Sequence, residues 1–288
     1  MSVVRKDVVL RDYSTFGIGG AARYFIELRT VQDVVEALAF CRKEGLPFLV
    51  LGKGSNTLFD DRGYPGVVLL NKLQEITWRE ASFTVGSGYS FSLLGAQTAK
   101  KHFTGLEFAA GIPGTVGGAI FMNAGANGQE TAHTLVEVDY IEEGGQRRTY
   151  AKKELCFSYR FSSFQQKKGC IVAATFELKP SLEAKERQKE LVEYRMKTQP
   201  YKMPSIGCIF RNPEGKGAGA LIESCGLKGR GIGGAFVSEL HANFIVNREG
   251  ATASDVLRLI ALVKEEVKKK SGLDLETEIK YIPYEESL

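Results

Sequence analysis

An α+β fold is predicted for this chain of 288 residues on three observations. A strand, a helix and a second strand follow one another near the start. The middle is a series of short β-rich runs broken by glycine, and the final part sets helices around short strands.

The first observation rests on YFIEL, TVQDVVEALAFCRKEG and PFLVL. In the helical segment Thr30 can cap, Asp33 completes a box, Val31, Val34, Val35, Leu38 and Cys41 share a face, and Gly45 ends it. Cys41 is thereby assigned to the core. The second strand runs straight into GKGSNTLF, so a glycine loop sits at a strand's carboxyl end, where α/β ligand sites collect.

The second observation covers Gly66 to about Lys179, with VVLLN, FTVGSG, LVEVDYIEEGG and GCIVAATFELKP as strands and YSFSLLGAQTAKK as the one helix. Within it, GLEFAAGIPGTVGGAIFMNAGANG is too rich in glycine and alanine for an ordinary core element. It reads as backbone packed closely against something.

The third begins with a charged connector helix, SLEAKERQKELVEYRMKTQP, from Ser181. GAGALIESCG is then a helix and HANFIVN a strand. SDVLRLIALVKEEVKKKSG is an amphipathic helix with Val256, Leu259, Ile260, Val263 and Val267 inward, Gly272 ends it, and ETEIKYIPY is the closing strand.

Composition narrows the function classes. A mass of 31.6 kDa with 43% hydrophobic and 25% charged residues is that of an ordinary folded chain with room for more than one core. The net charge of +4 comes without a dense Lys/Arg stripe interleaved with aromatics, so no nucleic-acid partner is expected. Lys268, Lys269 and Lys270 close a helix, where cations complement the dipole. The start, MSVVRKDVVLRDYS, lacks an apolar core and cleavage site, and no apolar run approaches the ~18 residues a membrane span needs. A cytoplasmic protein without a membrane partner is expected. Cys41, Cys156, Cys170, Cys208 and Cys225 are scattered, and so are His102, His133 and His241. Neither a disulfide framework nor a metal site is expected.

Four stretches can carry chemistry. In GKGSN, Gly52, Lys53, Gly54, Ser55 and Asn56 offer closely spaced backbone N–H groups that suit a phosphate or pyrophosphate, or form a plain turn. The run GRGIGG at 229–234 matches GxGxxG, but no strand precedes it and no helix follows, so it reads as a loop. Arg160 lies between Tyr159 and Phe161, and Glu278 alternates with apolar residues in LETEIKYI. Both suit a small-molecule pocket, or else are an edge-strand arginine and a solvent-facing glutamate. Cys208, in PSIGCIFRNP, is on these grounds either a small buried hydrophobe or a reactive group.

Taken in order, STFGIGGAARY, LGKGSNTL, GLEFAAGIPGTVGGAIFMNAGA, FSYRFSSF, the segment around PSIGCIFRNP, GALIESCGLKGRGIGGAFVSELHANFIVN and LETEIKYI resemble the UDP-N-acetylenolpyruvoylglucosamine reductase family over nearly the whole chain. The resemblance implies an FAD-binding domain of the PCMH (vanillyl-alcohol-oxidase-like) type in two parts, residues 1–65 with the closing strand near 274–288 and residues 66–180. A smaller α+β substrate domain would follow over residues 181–288. It further implies NADPH as reductant, and reduction of the enolpyruvyl ether of UDP-N-acetylglucosamine to UDP-N-acetylmuramate for the bacterial cell wall. The short last domain looks like the subclass without a substrate-covering tyrosine loop.

On this resemblance Gly52–Asn56 bind the FAD pyrophosphate, while Gly111, Ile112, Pro113, Gly114, Thr115, Val116 and Gly117 lie along the cofactor. Arg160 meets the charge that hydride arrival pushes into the substrate carboxylate, and Glu278 hydrogen-bonds the same carboxylate. Arg195 and Asn212 fall in substrate-contacting segments. Cys208 departs from the family pattern, standing where a serine donates the final proton at C2. A thiol, with a reference pKa of about 8.5, is a stronger acid than a hydroxyl. Neighbouring cations would nevertheless favour the thiolate, which has no proton to give. Cys225 is expected to stay inert. Two other readings stand beside this one: another PCMH-type flavin oxidoreductase, which would lack the set Arg160, Cys208 and Glu278, and a catalytically weak regulatory paralogue that binds FAD and the UDP-sugar.

Overall fold

Thr30 and Gly45 bound the first helix where the sequence places them. In the computed structural model, which describes residues 3–213 and 215–285, α1 spans Val31–Glu44. Thr30 Oγ1 accepts the Asp33 amide at 3.1 Å, the Asp33 carboxylate accepts the Thr30 amide at 2.8 Å, and Gly45 closes the helix at φ 63°. The buried face is Val34, Ala37, Leu38 and Cys41. Val31, the first helical residue, is exposed and Val35 only half-buried, so Ala37 takes the place they were given.

The residues cluster into two units. The first comprises Met1–Arg5, Phe25–Gly52 and Gly66–Arg195, the second Lys6–Tyr24, Lys53–Pro65 and Met196–Leu288.

In the first unit Phe48–Leu51 pairs in parallel with Val67–Leu70, which separates it from residues 25–28. The two strands that flank α1 in sequence are therefore not neighbours. A five-stranded antiparallel sheet runs in the order Arg147–Ala151, Leu135–Glu142, Gly169–Glu177, Ser82–Gly86, Ile76–Arg79. Its outermost strands, ITWR and RRTYA, are the two the sequence pattern misses, because short polar edge strands carry little apolar alternation. α2 (Phe91–Lys100) packs its buried Phe91 and Leu94 into the core with Phe83, Phe108, Val138 and Phe176.

The glycine-rich run contains an element its composition hides. α3 covers Val116–Phe121, and Thr115 Oγ1 accepts the Gly118 amide at its start. The charged connector is α4 (Ala184–Thr198).

The second unit holds α5 (Ala218–Ser224), α6 (Ala253–Ser271) and a three-stranded antiparallel sheet in the order Gly231–Ile232, Ala235–Val237, Ile245–Asn247. Val256, Leu259, Ile260, Val263 and Val267 of α6 are all buried as predicted, each stabilising by about 1.5–3 kcal/mol. Gly272 ends α6 at φ 72°. The GRGIGG run is half of a hairpin: Gly231–Ile232 pairs with Ala235–Val237, and a Cβ at Gly231 would lie 2.3 Å from the Phe236 ring. That is a packing glycine, which disposes of the dinucleotide motif. The closing strand is shorter than expected, Lys280–Ile282 paired in parallel with Thr57–Phe59, and Pro283 follows at once without an N–H to donate. Among the described residues no helix is long and apolar enough to cross a membrane, and no group of three or more His, Cys, Asp or Glu could hold a metal ion.

Candidate active site

In the first unit, residues 111–117 are stitched along residues 87–92. The Gly111 amide donates to Ser92 Oγ at 2.8 Å, Phe91 to the Gly114 carbonyl at 3.1 Å, Val116 to Tyr89 at 2.9 Å and Gly117 to Ser87 at 2.7 Å. A Cβ at Gly117 would come within 3.0 Å of the Ser87 Cβ, and one at Gly52 within 2.5 Å of Thr115 Oγ1. Close backbone approach is what these glycines supply. Ser87 is itself fully buried, its hydroxyl donating to the Ile171 carbonyl at 2.6 Å and accepting from Asn71 Nδ2 at 2.7 Å.

α3 leads from this run to Arg160. Its last carbonyl, on Phe121, accepts from Ser162 Oγ at 2.8 Å and Gln165 Nε2 at 2.9 Å, and Gln165 Nε2 also reaches the Arg160 carbonyl at 3.0 Å. The fully buried Asn123 donates to the Ser158 carbonyl at 3.0 Å and the Glu130 carboxylate at 2.8 Å while accepting the Ala132 amide at 3.1 Å. These bonds fasten a hairpin, Phe157–Ser158 paired with Phe161–Ser162, whose turn is Tyr159 and Arg160. Arg160 is thus at a hairpin tip, its φ of 57° in the left-handed region that costs a non-glycine residue about 1–2 kcal/mol. Its guanidinium lies 4.9 Å from the Tyr159 ring centroid. Six residues of helix, about 9 Å, join the glycine run to the hairpin. Arg195 of α4 is buried and donates from Nη2 to the Phe108 carbonyl at 2.9 Å, on the turn that precedes Gly111.

In the second unit the segment around Cys208 lies between two others. Cys208 forms an antiparallel bridge with Phe244, the Ile209 amide donates to the Asn243 carbonyl at 2.8 Å, and the Glu278 amide donates to the Ile209 carbonyl at 2.8 Å. Cys208 and Glu278 therefore sit on hydrogen-bonded neighbouring segments, both half-buried. Residues 53–56 adjoin them. The Asn56 carbonyl accepts the Lys280 amide at 2.9 Å. Thr15 bonds the Gly54 carbonyl through its amide at 3.4 Å and the Ser205 carbonyl through Oγ1 at 2.7 Å. Asn212 has a capping task, its Oδ1 accepting the Ala218 amide of α5 at 3.0 Å.

Burial separates the cysteines. It pushes the thiols of Cys41 and Cys170 up to about 11 and about 12, which leaves them inert. Lys280, two residues past Glu278, is held below the usual ammonium range, first by burial and then by the Arg211 charge.

The donor set fits a phosphate-bearing cofactor. Gly54 has φ 61°, and among the described residues the amides of Gly54 and Ser55 have no protein acceptor, so two adjacent N–H groups are left for an anion. Sequence reasoning missed Ser87, Asn123, Gln165, Thr15 and Asn243, whose partners are remote in the chain. Lys280 could have been found, since it follows Glu278 at strand spacing.

The adjacent amides of the loop suit an anion, and residues 22–150 match the family model described as an FAD binding domain, which makes this a flavin-binding protein. Residues 199–282 match the C-terminal domain of UDP-N-acetylenolpyruvoylglucosamine reductase. The reductase of that name from Protochlamydia amoebophila is 55% identical over 96% of this chain and 93% of its own length, and that of Chlamydia muridarum 49% identical over 99% and 96%. The crystal structure of the Thermus caldophilus enzyme of the same name superimposes with a TM-score of 0.85 at 37% identity, covering 98% of this chain and all of that one. The chain belongs to the UDP-N-acetylenolpyruvoylglucosamine reductase family. It is an FAD-dependent oxidoreductase of α+β fold, and the reading as some other flavin oxidoreductase is set aside.

Proposed function

We propose that the protein reduces UDP-N-acetylglucosamine enolpyruvate to UDP-N-acetylmuramate with NADPH, as a cytoplasmic step of peptidoglycan precursor synthesis. The observation that carries this reading is the bonded pair of segments bearing Cys208 and Glu278, beside a loop with two adjacent amides available to an anion. The division into residues 1–65 with 274–288, 66–180 and 181–288 is kept as the functional one. Residues Gly52–Asn56 and Gly111–Gly117 would hold the FAD. When bound, the flavin supplies the hydride that NADPH provides and that C3 of the substrate receives.

The chain's own residues do the rest. As a hydride reaches C3, the electron pair of the C2–C3 double bond moves toward C2 and the carboxylate. The Arg160 guanidinium meets that charge, and Glu278 hydrogen-bonds the same carboxylate. The Cys208 Sγ–H then gives its proton to C2, and the thiolate regains one from water. Arg195 and Asn212 belong to substrate-contacting segments, where Arg195 is anchored on Phe108 and Asn212 on α5.

Anaerobic spectroscopy tests the whole reading. The purified protein should show flavin absorbance, lose it on addition of NADPH, and regain it with the enolpyruvyl UDP-sugar. A flavin that stays bleached with that substrate would sink the proposal and favour a regulatory binder.

A further inference from the structure

Asn243 holds the segment that follows Cys208 more fully than any ladder residue does. Its Oδ1 accepts the Phe210 amide at 2.9 Å and its Nδ2 donates to the Phe210 carbonyl at 2.8 Å, while its own carbonyl accepts the Ile209 amide at 2.8 Å. The side-chain amide thus imitates a main-chain peptide group. It continues the ladder past the Cys208–Phe244 bridge, where residues 238–243 turn away. Asn243, Ile209 and Phe210 are all buried, so these bonds form out of water. The turn is braced in its own right: the Asn243 amide donates to His241 Nδ1 at 3.2 Å, the Phe244 amide to the His241 carbonyl at 2.9 Å, and Ser238 Oγ accepts the amides of Leu240 and His241.

We infer that Asn243 is a positioning residue for the proton transfer, its carboxamide setting the register of Cys208 against the Glu278 segment. The inference rests on Cys208 as the proton donor proposed above. The Asn243 carboxamide both accepts from and donates to one residue's peptide. A misplacement of about 1 Å in a reacting group costs on the order of 10²-fold in rate.

The isosteric change Asn243→Asp is the test, because an ionised carboxylate keeps the acceptor, loses the donor and faces the Phe210 carbonyl, whereas a protonated carboxyl restores both bonds. The titratable and charged groups on the adjoining segments include His241, Arg211, Glu276, Glu278, Lys280 and Cys208 itself, with Glu223 and Lys228 acting on His241, so the variant is compared with the native holoenzyme at every pH. At pH 8 the reoxidation of the reduced holoenzyme by the enolpyruvyl UDP-sugar should be slower by about 10–100-fold, in kcat rather than KM. Bleaching by NADPH and flavin content should stay within about twofold. Acidification should narrow the gap to the native protein. A second arm reads the position without turnover: the rate of iodoacetamide labelling of Cys208 in Asn243→Gln, by mass spectrometry, should differ several-fold from native while Cys225 labels alike. Equal loss in both half-reactions, no acid recovery, or unchanged Cys208 labelling would each overturn the inference. Failure of the native protein to be reoxidised would instead count against the proposed function, and the labelling arm would still read Asn243.

Discussion

The hairpin carrying Arg160 has two residues in each arm and is fastened by side chains, those of Asn123 and Gln165 from outside it and that of Ser162 from its own second arm. The segment carrying Cys208 is fastened by main chain on both sides, through Phe244 and Asn243 on one and Thr277 and Glu278 on the other, with one side-chain amide added. The two constructions differ in what a single substitution can undo. A side-chain clamp is released by changing one residue, whereas a main-chain ladder persists through most substitutions and is vulnerable at Asn243. In the proposed function the arginine meets a charge, which tolerates some play. A proton donor must stand within hydrogen-bond reach of one carbon.

The comparison is sharpest where a clamp is cut. Gln165→Leu removes the donor shared by the Phe121 and Arg160 carbonyls and should lower kcat/KM for the enolpyruvyl substrate about tenfold, equivalent to ~1.4 kcal/mol, while flavin reduction by NADPH is unchanged. An equal fall in both half-reactions would mean that Gln165 supports the unit at large.

An effect on stability rather than turnover is expected at the strand just past Glu278. Asp60 accepts from the Arg62 amide and guanidinium at 2.9–3.0 Å and from the Tyr281 hydroxyl at 2.7 Å. These bonds, the Arg62 guanidinium foremost, hold its carboxyl well below the usual carboxylate range. The folded pKa is depressed, so the stabilisation is full above the unfolded value of about 3.9 and lost as pH falls. Asp60→Asn should destabilise by about 1–3 kcal/mol at pH 7, and the gap to the native protein should start to narrow below about pH 4 and go on closing as pH falls through the depressed folded value. A gap that persists in acid would show that packing, not charge, is what the substitution removes.

Much of the fold was legible because its signals are local. Thr30 with Asp33 and Gly45 bound α1, and the stripe from Val256 to Val267 set the buried face of α6. α3 was hidden because Gly117, placed for close approach to Ser87, and its neighbour Gly118 both lower helix propensity. The polar edge strands Ile76–Arg79 and Arg147–Ala151 show little alternation to read. At the site, motif residues such as Gly54 and Cys208 stood out by resemblance. Asn123, Gln165 and Asn243 did not, since each bonds main-chain atoms 5 to 44 positions away in sequence, and no spacing rule reports such a partner.

The claim that Cys208 supplies the proton at C2 is tested most directly by the pH dependence of reoxidation by the enolpyruvyl UDP-sugar in the native protein, Cys208→Ser and Cys208→Ala. A thiol donor must be protonated, so the native rate should fall about tenfold per pH unit above the thiol's pKa. The serine variant should stay level across the same range, and the alanine variant should be slower by about 10²–10⁴-fold. Coincident profiles for cysteine and serine, or an alanine variant as fast as the native protein, would contradict the account.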